Sequence, residues 1–73
     1  MSWNYRIIDH GDHLALHEVH YDADGKPNAY TARPVTFVSD PGEGAEISSA
    51  LALAAEGALK PAIPVAVFDR VVR

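Results

Sequence analysis

The sequence predicts an α+β fold: a three-stranded antiparallel β-meander covered on one face by one α-helix, with a C-terminal extended tail or short fourth strand. Three observations carry this expectation. Residues 3–38 alternate apolar and polar side chains in short runs punctuated by glycine-containing turns, residues 40–59 repeat apolar positions at three- and four-residue steps, and Pro61 and Pro64 detach a last apolar run from the helical pattern. At 73 residues the chain is expected to be a single small domain, with the meander at 3–38, the helix at 40–59 and the tail at 61–73.

The first strand is read from Trp3 to Ile8, where Trp3, Tyr5 and Ile7 alternate with Asn4 and Arg6. Gly11-Asp12 is a turn dipeptide, and an extended pattern resumes from Leu14 to Tyr21. A two-residue loop there sets Ile7 opposite Leu16 and Asp9 opposite Leu14, placing Trp3, Tyr5, Ile7, Leu14 and Leu16 on one face. Asp22-Ala-Asp-Gly-Lys26 suits a type I turn closed by a left-handed glycine, pairing Asp22 with Lys26. Continuing that register sets Glu18 near Tyr30 and Leu16 near Ala32, so Tyr30 and Ala32 are expected to join the same core face. Pro34 interrupts the third strand, and Val35 to Val38 leads on to the helix.

Asp40 is the predicted N-cap, with Pro41 at the first helical position and Glu43 completing a capping box. Ile47, Ala50, Leu51, Ala54 and Ala58 share one stripe, so Ile47 and Leu51 are expected to pack on the sheet. Leu53 projects elsewhere. Gly57 either weakens the interior of the helix or caps it early, and Lys60-Pro61 ends it. Beyond Pro64, Val65, Val67, Phe68, Val71 and Val72 form a second apolar cluster. This tail either returns to the meander as a fourth strand or pairs with a second copy of the chain.

A net charge of −4, with its six cations scattered through the chain, disfavours nucleic acid, whose phosphates demand a basic patch. Cysteine is absent, so no disulfide or thiolate metal site can form and a reducing, cytoplasmic compartment is expected. The first residues lack a secretory pattern, and no run reaches the roughly 20 apolar residues that span a bilayer, so no membrane partner is expected.

Four histidines, His10, His13, His17 and His20, fall within eleven residues beside Asp9 and Asp12. Imidazole and carboxylate suit zinc or nickel, and the loop can bring His10, Asp12 and His13 together as candidate ligands. His17 and His20 point to opposite strand faces and cannot share an ion. Asp22-x-Asp24-Gly25 resembles the start of a calcium loop but lacks its third acidic ligand and closing glutamate, leaving a hairpin turn. Acid-base pairs can be drawn from Glu18 with His20 or Asp9 with His13. However, the sequence shows neither a nucleophile elbow nor a phosphate loop, and no catalytic residue or cofactor is expected.

Trp3-Asn-Tyr-Arg-Ile-Ile, Leu16-His-Glu-Val-His-Tyr-Asp, Asp24-Gly-Lys-Pro and Pro34-Val-Thr-Phe-Val before the helix together resemble a group of small uncharacterised bacterial proteins. The resemblance covers residues 3–60 and implies no activity. In layout the chain also resembles HicB-type antitoxin domains, three strands followed by an amphipathic helix, although the Pro-Gly-Cys segment usual there is missing; that likeness implies a toxin-binding regulator.

The function expected from these features is a non-catalytic interaction or regulatory module, homo-oligomeric or bound to another protein. Leu53, Val65, Val67, Phe68 and Val71 are its candidate contacts. The alternatives are a metal- or ligand-binding accessory protein using the His10/His13 loop, or an antitoxin-like regulator.

Overall fold

In the computed structural model, which describes residues 2–68 and 70–72, the first hairpin has the register its turn dictates. Strand β1 (Trp3–Asp9) pairs antiparallel with β2 (Leu14–Tyr21), with Ile7 opposite Leu16 and Asp9 opposite Leu14. Gly11 takes a φ of 94°, a conformation open to glycine, and its N–H donates to Asp9 Oδ1 at 2.8 Å. Trp3, Tyr5, Ile7, Leu14 and Leu16 therefore share one face. Asn4, Arg6, Ile8, His17 and Val19 share the other.

The second turn also forms as its residues demand. Gly25 has a φ of 79°, Asp22 N–H donates to Lys26 C=O at 2.9 Å, and Asp22 Oδ1 accepts from the N–H groups of Asp24 and Lys26. The ladder then departs from the expected one. Tyr21 pairs with Pro27 but His20 pairs with Ala29, so Asn28 is an extra residue in β3 (Pro27–Thr31). A slip of one residue turns every following side chain over. Val19, and not Glu18, lies opposite Tyr30, so Tyr30 is on the Ile8 and His17 face, away from Trp3 and Tyr5.

Asp40-Pro-Gly-Glu43 is a turn and not the start of the helix: Glu43 N–H donates to Asp40 C=O at 3.0 Å and Gly42 has a φ of 87°, the type II arrangement with proline second and glycine third. Helix α1 spans Gly44–Ala58, and its N-cap, Glu43, makes no side-chain capping bond. The buried stripe is centred on Ala50, Ala54 and Gly57. At 100° per residue, Leu51 and Leu53 stand roughly 70–90° to either side of it. Both are half exposed, at 49 and 53 %. Leu51 is therefore a flank residue, where the sequence pattern had it in the core. Gly57 lies directly over β1: a Cβ there would stand 1.8 Å from the carbonyl oxygen of Tyr5. Glycine's role is thus to let the helix backbone meet the strand backbone.

The tail overturns the expected three-stranded antiparallel meander. Ile63–Pro64 (β4) pairs parallel with β1, and Arg70–Val72 (β5) pairs parallel with β3, giving a five-stranded mixed sheet in the order β4-β1-β2-β3-β5. Both options left open by the sequence assumed one destination for the tail, whereas the chain serves both edges of the same sheet. The link between them contains a 3-10 turn, Val65–Val67, and passes across the face opposite the helix, where the Phe68 ring meets Tyr30 at 5.0 Å. Pro64 and Arg70 thus stand on opposite edges of the sheet, four inter-strand gaps of about 4.8 Å apart in pairing order.

The centre of the core lies on the link side of the sheet. The largest fully buried side chains, Ile8, His17 and Val19, all lie on the link side of the sheet and not beneath the helix. Ile63, opposite Ile8 in β4, closes the same cluster. On the helix side Ala54 and Ala29 are buried, while Trp3 and Leu14 stay exposed. Among the described residues, no helix is long and apolar enough to cross a membrane.

Candidate functional site

The concentration of chemistry-bearing side chains is on the link side, at the end of the first hairpin. His10 follows Ile8 in the alternation of β1, and His13 and His17 fall on the same side through Ala15 in β2, so the loop brings three imidazoles to one face. His20, across from Trp3, is on the other face, as its spacing from His17 requires.

Of the loop candidates, His10 and His13 stack with centroids 4.7 Å apart and planes within 11°. His13 Nδ1–H donates to Asp12 Oδ1 at 2.6 Å, and that hydrogen bond holds the Asp12 carboxyl below its usual range. The pair is solvent-exposed and orients His13 more than it stabilises the fold. Asp9, the other carboxylate nearby, is engaged with the Gly11 amide.

The closer contact joins His10 to His17, whose Nε2 atoms are 3.0 Å apart. His17 is only 2 % exposed. Its Nδ1 lies 2.7 Å from the Thr31 carbonyl, which can only accept, so Nδ1 is assigned the proton and Nε2 the lone pair. His10 Nε2–H then donates to it. The Thr31 carbonyl is available because the ladder breaks at this point: Glu18 N–H bonds the Thr31 hydroxyl at 3.3 Å, and that hydroxyl donates to the Arg33 carbonyl. The buried imidazole thus completes a disrupted strand end.

The Tyr30 ring makes T-shaped contacts with His17 and His10, centroids 5.2 and 6.0 Å apart, and Phe68 packs on Tyr30 from the link. The result is a continuous stack from the loop to the tail. Burial pushes the His17 imidazole below its ordinary range, partly offset by the Thr31 hydrogen bond. Unfolded, His17 titrates near 6.5. Between that value and its lower folded one the unfolded chain binds more protons, so the contribution of His17 to stability is complete above about pH 6.5 and declines as the pH falls.

Sequence reasoning grouped His10 with His13 and missed His17, although the signal was present: the hairpin register that pairs Asp9 with Leu14 already puts all three on one face. Tyr30 was beyond reach, because the bulge at Asn28 turns it over. Among the described residues, no group of three His, Cys, Asp or Glu side chains is placed to hold a metal ion. Of the other contact candidates, Phe68 is engaged with Tyr30, while Leu53, Val67 and Val71 are exposed and Val65 is half-buried. Compared with protein-family models, curated proteins and solved structures, the chain matches none.

Proposed function

We propose that the chain is a non-catalytic interaction module of the cytoplasm that associates with a second copy of itself through the flank of α1 carrying Leu53. The carrying observation is the surface beside the Gly57–Tyr5 contact, where Trp3 and Leu53 lie together, 46 and 53 % exposed, around a groove floored by Tyr5. Glu56 and Lys60 line the same groove. Exposed aromatic and aliphatic side chains beside a few charges are the composition of a contact surface. Two charges of opposite sign also make this surface self-complementary, since under a two-fold axis Glu56 can face the partner's Lys60.

The same reading explains why so much apolar surface coexists with so small a core. Chains of this size have little buried area to spare, and association supplies more. The histidine stack supports a structural role: both nitrogens of His17 are engaged, leaving the neutral ring no free lone pair for a substrate. A cysteine-free sequence fits a reducing compartment.

Sedimentation velocity tests this directly. At high protein concentration the wild-type chain is expected to sediment as a dimer, and Leu53→Glu, a change at a half-exposed position, to sediment as a folded monomer. A clean wild-type monomer at the highest concentration reached would overturn the reading.

A further inference from the structure

His10 and His17 share one proton across the 3.0 Å contact between their Nε2 atoms. With both rings neutral, His17 Nδ1–H bonds Thr31 and His10 Nε2–H bonds His17 Nε2. One added proton can sit on the outer Nδ1 of His10 without breaking either bond. A second leaves two N–H groups facing each other at 3.0 Å and places a charge on a ring that water barely reaches.

The surroundings sharpen this refusal. Arg6 lies directly across from His17 in β1, its guanidinium bonded to the Pro61 carbonyl at 2.7 Å and near the Tyr21 hydroxyl. From the loop, His13 stacks on His10 and is itself bonded to Asp12. From β3 the neighbour is the neutral Tyr30 phenol, and from the link the apolar Phe68. Among the described residues of this set the Asp12 carboxylate is the one anion, and it is exposed and already committed to His13.

What the pair supports is the tail. The Tyr30 ring makes T-shaped contacts with both imidazoles and with Phe68. Beyond Phe68 the attachment is slight: β5 has three residues, all exposed, held to β3 beside Thr31, with Ala32 N–H donating to Val72 C=O at 2.7 Å. The His17 ring bonds the carbonyl of that same Thr31.

We propose that the His10–His17–Tyr30–Phe68 stack is an acid-released latch: a second proton on the histidine pair frees β5 and the 3-10 turn from the β3 edge while β1, β2 and α1 stay folded. Release uncovers the backbone of β3, a pairing edge that β5 otherwise occupies. The latch goes beyond the self-association reading and does not depend on it.

Residue-resolved amide exchange, corrected for the intrinsic pH dependence of the chemistry, tests the latch. Between about pH 7.5 and pH 5, protection of the Ala32 amide is expected to fall about tenfold or more, while the β1–β2 ladder changes less than about twofold. His17→Asn keeps an N–H donor for Thr31 but cannot titrate, and its Ala32 protection should be flat over this range. His10→Gln keeps the donor to His17 and removes the partner charge, so release should move to lower pH. An Ala32 amide indifferent to pH in the wild type, an unchanged fall in either variant, or loss of Ala32 and the β1–β2 ladder together would each overturn the latch.

Discussion

Replacing Gly57 with alanine is expected to destabilise the fold by about 3 kcal/mol, the upper end of what overpacking costs. Helix propensity alone predicts the opposite sign, a gain of about 1 kcal/mol for Gly→Ala inside a helix. The geometry decides between them. A Cβ at Gly57 would stand 1.8 Å from the Tyr5 carbonyl oxygen and 2.6 Å from its carbon. Both are backbone atoms of β1, held in the ladder to β2 with Tyr5 opposite Glu18, so neither can swing aside as the end of a side chain would. The helix must lift off β1 and give up the burial of Ala54. For a chain whose whole stability is on the order of 4–11 kcal/mol, that loss is a large share. Gly44→Ala is the control: nothing lies within 4 Å of that position, so a change below about 0.5 kcal/mol is expected. Urea denaturation of the two variants reads the comparison, and a neutral or stabilised Gly57→Ala would show that the helix does not sit on the Tyr5 backbone.

The second large effect belongs to Ile8. It is 0 % exposed, lies between β2 and β4, and faces the link. Truncation to alanine is expected to cost about 2–5 kcal/mol, the range for a well-packed aliphatic core residue. Its neighbour Ile7, partly exposed on the helix side, and Leu51 on the helix flank should each cost less than half as much. That ranking reverses the one the alternation pattern suggests, because the pattern assigns the core to the face under the helix. Thermal unfolding of the three alanine variants measures it. Ile7→Ala costing more than Ile8→Ala would return the core to the helix side.

Local chemistry made the two turns and the first hairpin legible in the sequence. Glycine at positions 11 and 25, with the flanking aspartates, sets both turns, and the first turn sets the register that puts Trp3 and Tyr5 on the helix side. The features that could not be read are those that depend on contacts distant in the chain. Asn28 carries no local mark of a bulge, and Pro41-Gly42 is as good a start for a helix as for the type II turn it forms, so the pattern puts Tyr30 on the wrong face and starts the helix three residues early. The tail was read as a single element because Val65 to Val72 looks like one apolar run. Its division between two sheet edges depends on pairing with β1 and β3, strands distant in the chain, which no window of the sequence contains. The histidine pair lies between these cases, since its faces follow from a register the sequence gives and its partner Tyr30 from one it does not.

The placement of Tyr30 joins the bulge, the crossing link and the histidine stack, so its ring contacts test the account most directly. A nuclear Overhauser spectrum of the wild-type chain near neutral pH should connect the Tyr30 ring protons to those of His17 and Phe68. Cross-peaks from Tyr30 to the methyl groups of Ala50 and Ala54 in α1, with none to His17, would place it beneath the helix and contradict the two-sided sheet.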